Sequence, residues 1–129
     1  MEARPYTPHQ YTILRDWWKS YGWPPLPEDH LPTIGFIAWA NHLPIAAGFL
    51  YKTDSKFGVM EWILANKESD ILDRDKALDL VIQALFTAAK ENNIQSIYTT
   101  TSHKRLKERY KNNGFIVGDP DTMTFTKRI

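Results

Sequence analysis

Between Lys104 and Lys111 the chain carries Lys104, Arg105, Lys107, Arg109 and Lys111 against a single acid, Glu108. So many cations on a short segment are chemistry for a phosphate or a nucleic acid, or else the solvated face of a helix. Leu106 and Tyr110 stand one helical turn apart among them, the spacing of a buried stripe whose tyrosine hydroxyl reaches a polar partner. A second concentration is aromatic: Trp17, Trp18, Tyr21 and Trp23 run into Pro24, Pro25 and Pro27. Rings on a proline-stiffened loop lose little entropy on binding and suit a flat small molecule, a peptide or a protein partner through residues 17–27. Tryptophan also fills cores, so half of these rings are expected inside. A lone carboxylate, Glu61, interrupts Gly58-Val59-Met60-Glu61-Trp62-Ile63-Leu64. Strict strand alternation places it with Ile63 on one face and Trp62 with Leu64 on the other.

Composition limits what these groups can serve. At 129 residues and 43% hydrophobic content, one core and one domain spanning 1–129 are expected. The net charge of +1 points to no nucleic-acid coat, and the basic helix has no aromatic interleaving beyond Tyr110, so nucleic acid is not the expected partner. With no cysteine and four scattered histidines, thiolate catalysis, disulfides and sulfur-based metal sites are excluded and no metal is expected. No apolar run is long enough for a membrane, and Met1-Glu2-Ala3-Arg4-Pro5 is not a signal sequence, so a cytoplasmic protein is expected.

The elements follow from periodicity. Tyr11, Leu14, Trp17, Trp18 and Tyr21 define a helix over 9–21, closed by Gly22 and the prolines. Strands are expected over 33–40, 45–53 and 57–65, a meander of antiparallel neighbours. Ala77, Leu78, Val81, Ala84, Leu85, Ala88 and Ala89 give a long helix over 72–90, with Asp73 and Asp75 at its favourable end. A strand over 94–100, the basic helix stopping at Gly114, and a closing hairpin from 115–117 and 123–126 complete the chain.

That order, together with Tyr110-Lys111-Asn112-Asn113-Gly114-Phe115, resembles the GNAT N-acetyltransferase superfamily and its Tyr-x-x-x-Gly-Phe ending over nearly the whole length. The chain is also similar to small GNAT-like proteins encoded by bacteriophages. The resemblance implies an α/β fold: a mixed sheet, an antiparallel meander followed by a splayed parallel pair, flanked by helices. It implies that acetyl-coenzyme A lies in the splay, its pantetheine arm on the backbone of Trp62, Ile63 and Leu64. Its pyrophosphate would be cradled by the segment matching Arg-x-x-Gly-x-Gly, here Arg74-Asp75-Lys76-Ala77-Leu78-Asp79. Alanine and aspartate replace both glycines, and residues 67–79 carry a net charge of about −2 by formal charge. Either these acids cap the helix, or the segment pivots so that Asp79 faces water while Arg74 and Lys76 hold phosphate. By the same resemblance Tyr110 is the general acid, Glu61 a candidate base if its face lines the cleft, and His103 and Lys104 are coenzyme contacts. Trp18, Tyr21 and Trp23 fall on the side that receives the amine acceptor. Two functions are implied: an acyl-coenzyme A-dependent N-acetyltransferase acting on a small-molecule or protein amine, or a GNAT-fold protein with a weakened cofactor site that binds a macromolecular partner. A monomer and a homodimer are both compatible with the sequence.

Overall fold

The central strand of the molecule is a continuous apolar run, and the rest of the sheet is built around it. A computed structural model describes all residues, Met1–Ile129. Ile45 to Leu50 are buried without interruption within β3 (Leu43–Lys52), the pattern of a strand covered on both faces. Its antiparallel neighbours are β2 (Ile34–Ala40) and β4 (Phe57–Ala65). Outside β2 lies β1 (Glu2–Pro5), antiparallel, and outside β4 lies β5 (Ser96–Tyr98), parallel, giving the order β1-β2-β3-β4-β5. The helices are α1 (Tyr11–Ser20), α2 (Ile71–Glu91) and α3 (Lys104–Asn112).

Each sheet face has its own core. On one, Leu14, Trp17 and Trp18 of α1 pack on Ile37, Ala47, Phe49 and Leu64. On the other, Ala77, Val81, Ile82, Leu85 and Ala89 of α2 pack on Ala38, Ile45, Leu50 and Met60, with Tyr110 of α3 at the edge. Gly48 lets α2 approach the sheet closely, since a Cβ there would lie 2.6 Å from Ile63 and 2.7 Å from Val81. Gly114, at φ +90°, ends the basic helix as its sequence predicts.

Three features depart from the sequence expectation. β1 was not foreseen, because a four-residue edge strand containing Arg and Pro has almost no periodic signal. The strand expected over 94–100 is shortened to three residues, with Ile94 buried before it. The closing hairpin over 115–117 and 123–126 does not form: no backbone-to-backbone hydrogen bond involves a residue beyond Phe115, and every residue from Ile116 is exposed. Strands of three and four residues are too short to hold a hairpin without a sheet edge beneath them.

Candidate active site

β4 and β5 are paired only at Phe57–Val59 with Ser96–Tyr98, and there they part. Side chains bridge the base of the resulting cleft. Thr99 Oγ1 donates to the Met60 carbonyl at 2.7 Å, and Thr100 donates to Glu61 Oε1 from its amide at 3.3 Å and its hydroxyl at 3.1 Å. The edge of β4 from Met60 to Ala65 that faces away from β3 has no strand neighbour. With the Met60 carbonyl taken by Thr99 and the Ala65 carbonyl by Tyr21, the stretch between them is what remains for an extended chain to join by strand addition.

Glu61 owes its position to a β-bulge. The β3 register places Ala47 opposite Leu64 and Phe49 opposite Glu61, so Gly48 faces two residues, Trp62 and Ile63, and Trp62 takes φ +57°. The extra residue breaks the alternation, and this corrects the expected face of Glu61, while Trp62 and Leu64 share a face opposite Ile63 as expected. Ile63 packs against the α2 core, while Trp62 and Leu64 join the α1 core. Glu61, across from Phe49, lies on the Trp62 side rather than sharing a face with Ile63. Trp62 Nε1 donates to Tyr51 Oη at 2.7 Å, and Tyr51 donates to the His30 carbonyl at 2.8 Å, which ties the proline-rich loop to the cleft wall.

Burial pushes the Glu61 carboxyl above its ordinary range, opposed by its two hydrogen bonds from Thr100. A raised folded-state value means that the folded chain binds this proton more tightly than the unfolded chain. Stability from this group is therefore greatest below pH 4.5 and declines as pH rises through the folded value. Glu61→Gln keeps an oxygen for Thr100 and removes the charge, so denaturant titrations from pH 4 to 8 will show wild type losing stability relative to the variant as pH increases. A difference independent of pH would mean that Glu61 is solvated.

Tyr110 is buried on α3, its ring 5.4 Å from Phe115. Burial is the main cause that pushes its hydroxyl up to about 12; a hydrogen bond with the Thr99 side chain lowers it, and the nearby Glu61 carboxylate raises it further. It therefore keeps its proton at every physiological pH. Tyr110, Glu61, Thr99 and Thr100 thus converge where the strands separate, and Thr99 and Thr100 were not foreseen from the sequence.

The segment Arg74–Asp79 is not a loop. α2 begins at Ile71, with Asp70 as its N-cap accepting from the Leu72 amide at 2.8 Å, so all six residues are helical. The Arg74 amide already bonds the Asp70 carbonyl, and helix geometry engages the amides that follow in the same way. Ala77 is buried, Leu78 packs against the core, and Lys76 is exposed. Arg74 Nη1 holds the Lys67 carbonyl at 2.7 Å. Asp75 and Asp79 face α3, where Arg109 meets Asp75 Oδ1 at 2.7 Å and Asp79 Oδ1 at 2.9 Å. The open groove of about 620 Å³ beside them balances Asp75, Asp79 and Glu108 against Lys104, Arg105 and Arg109. Backbone amides in this segment do not fit a pyrophosphate; the free edge of β4 does fit a pantetheine arm.

Replacing Asp79 by glycine tests this assignment. The variant will lose about 1 kcal/mol of stability, from glycine inside a helix and from a half-exposed ion pair, and its acetyl-coenzyme A affinity by titration will not change. Tighter binding would show that Asp79 opposes the phosphates.

The remaining expected contacts are dispersed. His103 is the exposed N-cap of α3 without a side-chain cap bond, and Lys104 is exposed beside it. Trp18 is buried against Trp62, their rings 6.5 Å apart edge to face, so it supports the cleft wall from behind. Tyr21 donates to the Ala65 carbonyl at 2.8 Å, and half-exposed Trp23 stacks on it at 4.6 Å. No group of histidines, cysteines or carboxylates is placed to hold a metal ion, and no helix is long and apolar enough to cross a membrane.

A five-stranded mixed sheet with one splayed parallel pair, helices on both faces and a buried tyrosine at the splay define the class: the chain has the GNAT acetyltransferase fold. An acetyltransferase of the GNAT family from Staphylococcus aureus Mu50 is similar at a TM-score of 0.69 and 21% identity, over 98% of this chain and 92% of that one. TTHA1254 from Thermus thermophilus is similar at 0.69 and 16% identity, over 100% and 97%. Rv2747 from Mycobacterium tuberculosis, a structure in complex with CoA, is similar at 0.71 and 13% identity, over 95% and 76%. No family model matches the chain, and no curated protein matches it.

Proposed function

We propose that the chain is an acyl-coenzyme A-dependent N-acetyltransferase in which Tyr110 gives a proton and Glu61 takes one. The observation that carries this reading is the convergence of the two groups where β4 and β5 part, beside an unpaired stretch of β4. A structure of similar fold that holds CoA, Rv2747, adds support. Acetyl-coenzyme A is the acetyl donor, a thioester whose carbonyl carbon an amine attacks, and its arm lies along Trp62, Ile63 and Leu64. Glu61 accepts the proton that the amine nitrogen sheds, while Tyr110 supplies one to the departing sulfur. The raised carboxyl of Glu61 brings it nearer to neutrality than an exposed glutamate, so the rate falls as pH drops through that value and the base becomes protonated. Trp23 and Tyr21 stand on the acceptor side, and His103 and Lys104 on the coenzyme side.

A thiol-reactive dye reads the reaction directly, because the protein has no cysteine to react with it. With acetyl-coenzyme A and a panel of primary amines, thiol release that depends on the amine and is lost in Glu61→Gln supports the reading. Release that no amine stimulates contradicts it.

One observation favours a second reading, a GNAT-fold protein that binds a macromolecule without catalysis. The N-terminus of α2 is closed by its own Asp70, and the acids matched to the pyrophosphate segment are committed to Arg109. The stacked pair Tyr21 and Trp23 on the proline-rich loop is the surface such a partner takes.

A further inference from the structure

Glu61 is held by a single residue, and by only one of its two oxygens. Thr100 reaches it twice from the far side of the splay, with its amide at 3.3 Å and its hydroxyl at 3.1 Å, and both bonds end on Oε1. Oε2 accepts no hydrogen bond from the chain, yet it is not sealed from solvent as the orphaned hydroxyl of Tyr6 is. One oxygen is therefore committed and the other is open at the cleft. Thr100 is brought there by its neighbour: the β4–β5 ladder ends at Val59 with Tyr98, and Thr99 then spends its hydroxyl on the Met60 carbonyl.

No cation shares the task. None of the ion pairs of the chain includes Glu61, whether from α1, α2 or residues 22–33. The titratable groups that face it are two phenols, Tyr51 from β3 and Tyr110 from α3, both pushed up by burial and so neutral across the physiological range. A partly buried carboxylate without a cation is ionised only at a cost, and donors aimed at it offset that cost. Here Thr100 is the sole donor. A carboxylate held by two donors at one oxygen also keeps one orientation, which fixes the direction of the other oxygen.

We propose that Thr100 is the positioning residue of this site: it holds Oε1 of Glu61 and leaves Oε2 as the oxygen that takes the proton from the amine nitrogen. The inference rests on the reading of Glu61 as the base, and adds which oxygen acts and what aims it. One proton passes from the nitrogen of the attacking amine to Oε2, while Oε1 keeps its two donors, so the carboxyl need not rotate.

Two readouts on the full chain test it, one of them independent of catalysis. Carbon-13 NMR of the glutamate carboxyls, with the Glu61 signal assigned by its loss in Glu61→Gln, gives the titration midpoint of Glu61 in each variant. Thr100→Val keeps the shape and removes one donor to the charged form, so the midpoint will rise by about one pH unit. Thr100→Ser restores the donor and will return it to the wild-type value. Thr99→Val removes a hydroxyl that serves the Met60 carbonyl, and will leave the midpoint in place. With acetyl-coenzyme A and an amine, the acid limb of kcat in Thr100→Val will move upward with the midpoint. Its plateau will fall roughly tenfold, and KM for acetyl-coenzyme A will be unchanged. A residue that served the fold alone would lower stability without moving the limb. A midpoint that stays in Thr100→Val, or that moves as far in Thr99→Val, overturns the hold of Thr100 on Glu61, and leaves the base reading standing where wild-type thiol release depends on amine. A midpoint that moves while the acid limb stays, or while no amine stimulates thiol release, shows that Glu61 is not the base, and the inference falls with that reading.

Discussion

Tyr110→Phe will lower kcat for amine acetylation roughly ten- to a hundredfold and leave the dissociation constant of acetyl-coenzyme A unchanged within a factor of two. The substitution deletes one oxygen and keeps the ring against Phe115, so the packing at the edge of the core survives. Thr99 Oγ1 donates to the Met60 carbonyl rather than resting on the phenol, so loss of the Tyr110 oxygen costs about 1 kcal/mol or less, too little to unfold a domain of this size. With a hydroxyl pushed up to about 12, the wild-type donor stays protonated throughout the usable pH range. The variant will therefore keep the limb of the pH profile that belongs to Glu61 and lose height at every pH. Steady-state rates from pH 5.5 to 9 check this, with affinity measured separately. An unchanged kcat would remove Tyr110 from proton transfer, and a parallel loss of affinity would make it a binding residue.

Phe49→Ala will destabilise the fold by about 3–5 kcal/mol, a large part of the total for a small domain. Phe49 is fully buried in β3, its ring 5.0 Å from Tyr6 edge to face, and it fills the space over Gly35, where a Cβ would lie 2.4 Å from the ring. It also backs Glu61, which pairs across from it in β4. Truncation leaves a cavity between α1 and the sheet that the rigid neighbours Leu14, Trp17 and Ile37 cannot close. Differential scanning calorimetry should record a transition lower by roughly 10–20 °C. A shift under about 3 °C would mean that the α1 side of the sheet is loosely packed.

The long helix and the meander were legible because their apolar periods are regular over many residues. Ala77 to Ala89 repeats at helical spacing, and Ile45 to Leu50 reads as a strand buried on both faces. Tyr110 was legible by its distance from Gly114 and Phe115. The face of Glu61 was not, because one residue inserted at Trp62 reverses the alternation, and tryptophan gives no sign of a positive φ. The available signal was Gly48, a glycine inside an apolar central strand, which often marks a bulge or a close approach. The start of α2 was legible to within one residue, 72 against Ile71, with Asp70 as its cap; what failed was the match of Arg74–Asp79 to a glycine-bearing loop, because those residues lie inside that helix. The partner of Asp75 and Asp79 lies 30 residues or more away on α3, and pairings set by tertiary packing leave no trace in local sequence.

Calorimetric titration of the full chain with acetyl-coenzyme A, at moderate salt so that weak attraction to the basic α3 is screened, tests the cleft most directly. Binding of one molecule per chain at micromolar affinity, weakened when Glu61→Lys introduces a bulky cation at the splay, is the result expected. No heat of binding up to millimolar ligand would contradict the enzyme reading and direct attention to a macromolecular partner for Tyr21 and Trp23.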